Sequence, residues 1–364
     1  MSPPLPSPTA EPVGDLGDAA MDRLLKALRQ LADARTGWPA ESLRRCHEAQ
    51  VARWFLPESD GGLGWTAGDQ LQANTLLASV DLTTAFVLTQ FSGACRRLAN
   101  GGNPEPRERW LKPLLTGTRF GTVGISHLTT SRRHLDQPVL GARPDREGYL
   151  LDGIAPWVTG GAHADVIVTG ATLGDGSEIV VAVPTDLPGI SAGRGTPLIA
   201  LSDSCTDQVR FDSVRLTPQD VLAGPSRSVL GNGTSGGAGG LQTSSLALGL
   251  AISAIEYLED QAARRPSLRP PADQLRAESE NLRRDLIDAT QQDSPLSVGS
   301  LRTEANGLVM RATSAAMTAA KGAGFVEDHP VGRWCREALF FLVWSCPQPV
   351  AQAHLCEMAG LSHP

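Results

Sequence analysis

The chain of 364 residues is 41% hydrophobic and 20% charged, the composition of an ordinary globular protein long enough for two to three structural units. Its net charge of −7, with no basic run, argues against nucleic acid as a partner. The scattered cysteines (Cys46, Cys95, Cys205, Cys335, Cys346, Cys356) include no CxxC pair, which argues against a bound metal and fits the reduced thiols of a cytoplasmic protein.

In chain order, MSPPLPSPTAEP is proline-rich without the apolar core of a secretion signal, and residues 1–15 read as a flexible arm. No apolar run approaches the roughly 20 residues of a membrane span, so no membrane partner is expected. Asp18 to Ala34 reads as an amphipathic helix, with Met21, Leu24, Leu25, Leu28 and Leu31 on one face. Ala40 to Arg53 reads as a second helix opened by Pro39. The turn-rich WFLPESDGGLGWT follows. Helices are then predicted over Ala67 to Val80, over Leu82 to Ala99 with Asp81 as N-cap, and over Pro104 to Leu115. Residues 16–117 thus form an N-terminal α-helical domain.

The character changes at Arg119. RFGTVGIS, GYLLDG, DVIVTGAT, EIVVAVPT and QVRFDSVRL are short β-rich runs between Gly, Pro and Asp clusters, the pattern of a small barrel or sandwich over residues 118–224. Residues 225–240 form a Gly/Ser-rich loop. Residues 241–364 return to helices: apolar faces at Leu248, Ile252, Ile255, Leu258 and at Leu275, Leu282, Leu286, an Ala-rich helix over Leu301 to Ala320, and helices over Val331 to Trp344 and Pro349 to Ala359. The fold class is α+β: N-terminal helices, a middle β-barrel or sandwich, and a C-terminal four-helix-type bundle.

One stretch organises the rest. DGIAPWVTGG, residues 152–161, reads as a tight polar turn between GYLLDG and DVIVTG. It carries Trp157 and, two residues on, the hydroxyl of Thr159. An aromatic face beside a short donor suits a flat heteroaromatic ring; a β-turn with one core tryptophan is the plainer alternative.

The order of elements, together with LPESDGGLGWTAGD, VDLTTAFVLTQFSGACRRLANGGNPEPRERWLKPLLTGT, EGYLLDGIAPWVTGGAHADVIVTG, LSDSCTDQVRFDSVRLTPQDVLAG and GAGFVEDHPVGRWCREA, resembles the acyl-CoA dehydrogenase family collinearly from Asp18 to Leu361. The resemblance implies a flavoprotein oxidoreductase with FAD between the β-domain and the bundle. Its substrate would be an acyl-CoA or related small molecule, oxidised across a CH–CH bond. Electron-transfer flavoprotein or oxygen would be the acceptor, and the assembly a homodimer, a homotetramer or a hetero-oligomer with a homologue. In the family's reaction a glutamate removes the proton α to a thioester carbonyl, hydrogen bonds stabilise the developing enolate and the flavin accepts hydride.

Residue by residue, the resemblance gives Trp157 and Thr159 the flavin ring. It gives Ile125 and Ser126 the pyrimidine end, through backbone groups. His127 follows, a candidate acid/base or a hydrogen-bonded structural histidine, and Thr130-Ser131-Arg132 replace a GSD. Arg264 stands where an arginine grips the pyrophosphate, but Ser267 and Leu268 replace a Phe-Gly. Thr318, Gly322 and Gly324 stand in a glycine-rich motif that the family contributes from the neighbouring subunit, with Lys321 replacing one Gly. The adenine half is therefore altered, and FAD, FMN or no flavin are all open. The family's base position falls on Ser345, whose hydroxyl is too weak a base without a partner. Three functions follow: an acyl-CoA dehydrogenase-like enzyme with its base replaced, a flavin-dependent monooxygenase or oxidase on the same scaffold, or a non-catalytic subunit pairing with an active homologue.

Overall fold

The computed structural model of the protein describes residues 11–129, 137–230, 240–291 and 294–361. The expectations for residues 1–10, for Thr130-Ser131-Arg132 and for most of the Gly/Ser-rich run, at 231–239, lie outside these residues.

The N-terminal helices form where apolar spacing and caps coincide. In α1 (Ala19–Ala34), Asp18 Oδ1 accepts the Ala20 amide at 2.8 Å, satisfying one of the free N–H groups of the first turn. Two helices, α2 (Ala40–Glu48) and α3 (Val51–Trp54), replace the single helix expected over Ala40 to Arg53. The chain breaks at Gln50, whose φ of 60° is left-handed and cannot continue a right-handed helix. Helix α4 (Ala67–Val80) opens with a reciprocal capping box between Thr66 and Asp69. In α5 (Leu82–Ala99), Asp81 caps the first turn by accepting the Thr84 amide at 3.0 Å. Arg35, just past α1, bonds both oxygens of Asp81, at 2.7 and 2.9 Å, and so ties the end of α1 to the start of α5. Helix α6 (Pro104–Leu115) closes the block. The arm expected over residues 1–15 is docked at its end: Val13 is fully buried and its amide bonds the Ala49 carbonyl at 3.2 Å.

The middle block is one eight-stranded sheet. Its elements are β1 (Gly121–Gly124), a one-turn helix α7 (Ser126–Thr129), β2 (Leu140–Asp145), β3 (Gly148–Val158), β4 (Val166–Thr172), β5 (Glu178–Pro184), β6 (Ile190–Ala192), β7 (Asp207–Leu216) and β8 (Val221–Ser226). The order is β6-β7-β3-β2-β4-β5-β8, with β1 parallel to β4. Strand β8 runs past the boundary expected at residue 224. The stretch DGIAPWVTGG is corrected as well. Its first seven residues continue β3, and the turn begins only after Val158. Strand β7 pairs along nearly the whole length of β3, with register shifts at Leu151/Gly153 and Ala155/Val158. Those irregularities let Gly and Pro sit inside a long strand.

The C-terminal helices are α8 (Leu241–Arg264), α9 (Arg269–Thr290), α10 (Val298–Ala320), α11 (Pro330–Phe340) and α12 (Gln348–Met358). The α11 region differs from expectation: the helix stops at Phe340, and turns carry the chain through Trp344. Helix α8 is the axle. It packs against α4, α9 and α10, and at Gly249 a Cβ would lie 2.4 Å from the Thr75 carbonyl oxygen of α4. Only glycine permits that approach. By length and composition α8 is apolar enough to cross a membrane, which corrects the expectation that no segment is. Yet 72% of its most apolar stretch is buried inside the protein, as befits a core helix. Leu246, Leu248, Leu250, Ile255 and Leu258 are each at most 1% exposed, and burying one such side chain contributes about 1.5–3 kcal/mol.

Candidate functional site

A cavity of about 680 Å³ opens where α5, the end of β1, the end of β3, the start of α8 and the turns after α11 converge. The fold brings five of the residues singled out from sequence to this one wall: Ile125, Ser126, Trp157, Thr159 and Ser345. Ile125 and Ser126 follow β1, which is held parallel to β4. Trp157 is the penultimate residue of β3 and is 49% exposed. It is therefore not the core tryptophan of the plainer reading; its face is presented at the cavity. The turn beyond it is fixed at Gly160, where φ is 64° and a Cβ would sit 2.4 Å from the Trp38 ring.

Thr159 is buried, and its Oγ1 lies 3.0 Å from Thr206 Oγ1, which lies 2.8 Å from Ser204 Oγ. Its carbonyl accepts the Thr122 hydroxyl at 2.8 Å. A hydroxyl offers one donor and two acceptor positions, so Thr159 is oriented by Thr206 and keeps bonding capacity for a ligand. Opposite, Phe86, Leu339, Phe340, Val343 and Trp344 make the wall apolar. Phe340 and Trp344 stack at 5.0 Å, and Phe86 meets both edge-on at 4.9 Å. Ser345 holds a left-handed φ of 46°, a conformation that costs a non-glycine residue about 1 kcal/mol. Buried Arg302 of α10 positions this wall: its Nη2 donates to the Phe341 and Trp344 carbonyls, both at 3.0 Å.

The electrostatics of the wall were not legible from the motifs. Among the described residues its charged members are Arg96, Arg97 and Arg336, and it includes no carboxylate. Burial pushes the Arg97 guanidinium down to about 10, with Arg96 beside it adding repulsion. Arg96 Nη2 donates to Gln242 Oε1 at 3.1 Å. Three buried polar atoms of the lining residues, Arg96 Nε, Gln242 Nε2 and Ser126 Oγ, have no hydrogen-bond partner among the described residues. Unpartnered buried polar groups of this kind are costly. With the half-exposed Trp157 face, the set suits a flavin ring: Trp157 against the ring, Thr159 and Ser126 at its polar edge.

The other predicted residues lie elsewhere. His127 is buried away from the cavity wall, its Nε2 2.8 Å from the Gly170 carbonyl and its basicity lowered by burial. Arg264 and Thr318 are exposed, and the Thr318 hydroxyl donates to Ser314. A Cβ added at Gly322 would meet nothing within 4 Å, whereas Gly324 is buried against Met317 and Ala320. Arg265, not Arg264, ties the end of α8 to α10, donating to the Ala319 carbonyl at 2.7 Å. In sequence, the missed Arg96-Arg97 pair looks like a solvated helix end; its signal was two adjacent charges closing an otherwise uncharged helix.

The family model for the N-terminal domain of acyl-CoA dehydrogenase matches residues 16–118. The short-chain-specific acyl-CoA dehydrogenase of Megasphaera elsdenii is 23% identical over 307 residues, which is 78% of this chain and 80% of that one. The structure of glutaryl-coenzyme A dehydrogenase in its glutaryl-CoA complex superposes with a TM-score of 0.79 at 17% identity, over 95% of this chain and 96% of that one. Dibenzothiophene monooxygenase from Paenibacillus sp. A11-2 shares the fold with a TM-score of 0.75 at 17% identity, over 94% and 97%. The helix–sheet–helix order, the collinear motifs and these likenesses agree: residues 16–118 match the family's N-terminal domain, and the chain has the acyl-CoA dehydrogenase fold.

Proposed function

We propose that the protein is a flavin-dependent oxidoreductase that works without a carboxylate base, using oxygen as a monooxygenase or oxidase does. One observation carries this reading: among the described residues the cavity lining holds no Asp or Glu, and it includes Ser345, the residue to which the sequence resemblance assigns the family's base position. When bound, the flavin supplies two-electron redox chemistry. The chain supplies the site. Trp157 offers the ring a face, Thr159 and Ser126 offer its edge hydroxyls, and the Phe86–Phe340–Trp344 cluster excludes water. Either FAD or FMN suits this end.

A second reading, dehydrogenation of an acyl thioester with the base supplied differently, is favoured by sequence relatives named acyl-CoA dehydrogenases that match most of the chain. A visible spectrum of the purified chain, with FAD or FMN added, tests both. Flavin that consumes oxygen after reduction yet stays oxidised under anaerobic acyl-CoA supports the first reading. Anaerobic bleaching by acyl-CoA supports the second. Failure to bind any flavin sinks both and leaves a non-catalytic subunit.

A further inference from the structure

We infer that the last turn of α5 is an anion receptor: the cavity takes a ligand carrying a carboxylate or phosphate, which Arg96 and Arg97 bind beside the proposed flavin ring. This deepens the flavin-site reading and rests on it only for the location of the ring.

Charge is unbalanced at this end of α5. Arg96 and Arg97 are consecutive in α5 and both line the cavity. Neither forms an ion pair with any carboxylate among the described residues, although most arginines elsewhere in the chain do, among them Arg35, Arg107, Arg276 and Arg333. Their acceptors among the described residues are neutral: Arg97 Nη1 donates to its own helix at the Gly93 carbonyl, 3.2 Å away, and Arg96 Nη2 to Gln242 Oε1. The buried Arg96 Nε is left without an acceptor, and so is Gln242 Nε2. Two adjacent guanidinium groups that are withdrawn from water repel each other and pay a desolvation cost. The C-terminal end of the helix dipole offsets part of this, but it gives Arg96 Nε and Gln242 Nε2 no acceptor. An anion in the cavity would balance both charges, and guanidinium forks match the oxygens of a carboxylate or phosphate. Arg336, exposed at the same wall, adds attraction at the mouth.

The anion has two possible sources, the substrate's acid group or a flavin phosphate, and one experiment separates them. On the full chain loaded with flavin, benzoate and phenyl phosphate are titrated against benzamide and benzyl alcohol. The readouts are the flavin spectrum and the fluorescence of Trp157 and Trp344. In parallel, FMN is compared with riboflavin on flavin-free protein. Probes bearing charge should bind at least about tenfold more tightly than the neutral ones, and Arg97→Met should abolish the preference while Arg97→Lys keeps part of it. If the preference appears in the benzoate series, the source is the substrate. If it appears only as FMN over riboflavin, the source is the cofactor's phosphate. Equal affinity for charged and neutral probes in both series, in the unaltered protein, overturns the inference whether or not Arg97→Met folds. The flavin reading fails separately: anion binding seen by tryptophan fluorescence with no flavin uptake keeps the receptor and removes the ring.

Discussion

The two ends of the cofactor site implied by the family differ in how this chain builds them. At the ring end, Ile125, Ser126, Trp157, Thr159 and Ser345 come from distant stretches of sequence and line one enclosed wall. At the adenine end, Arg264 and Thr318 stand exposed, Gly322 has open space around it and Lys321 takes the place of a glycine. The first set comes together within one chain. The second is an open surface, consistent with the family's use of a neighbouring subunit there. The residues assigned to the ring end meet in one cavity, and those assigned to the adenine end do not.

The largest effect should come from restoring the absent carboxylate at the ring end. Ser345→Glu is expected to raise anaerobic flavin bleaching by acyl-CoA by about 10²–10⁴-fold, the usual contribution of a placed general base. Stopped-flow absorbance reads it, and no gain would move the family's base position off Ser345. Next is the support of the wall. Arg302→Met removes the donor to the Trp344 carbonyl and one of two to the Phe341 carbonyl, which keeps Asn306 Nδ2 at 3.0 Å, and should cost about 1–3 kcal/mol of stability by denaturant titration. An unchanged midpoint would mean that the wall stands without the clamp.

The third test is pH. Glu337 is buried on α11, and that burial, opposed by Arg333 at 3.8 Å and aided by Asp81, raises its carboxyl from near 4.5 to about 7. A carboxyl whose folded value is raised stabilises the fold fully below about pH 4.5 and loses that contribution as pH climbs through about 7. Glu337→Gln should therefore flatten the decline of the unfolding midpoint between pH 5 and 8; parallel curves for the two proteins would refute the assignment. The smallest effect probes the comparison directly. Trp157→Ala should weaken FMN and FAD alike, by about 0.5–1.5 kcal/mol in a flavin titration. Arg264→Ala should leave FMN within about twofold, because the sites are distant and independent, and affect FAD alone. Loss of FMN binding in Arg264→Ala would erase the distinction between the ends.

Much of the fold was readable because local signals agreed. Helical spacing in Met21, Leu24 and Leu28, the cap at Asp81, and Gly/Pro punctuation all pointed one way. What escaped was long-range or irregular. Strand β2, LGARPD, has no apolar alternation of its own and is defined by pairing with β3. Gln50 breaks a helix with no glycine or proline to announce it. At the site, motifs named Trp157, Thr159 and Ser345, but no local pattern showed that Arg96, Arg97 and Gln242 would face the same space. Their charge balance depends on which carboxylates the fold brings near, and that is a property of tertiary structure alone.

The Arg302 clamp has a consequence for how such a site can change over time. Its bonds go to the main-chain oxygens of residues 341 and 344, atoms that every amino acid presents alike. The turn carrying position 345 thus draws this anchorage from outside its own side chains. A substitution there can change the chemistry offered to the cavity and leave the anchorage intact. A scaffold so held can exchange one reaction for another through a single codon, with stability and reactivity under separate control.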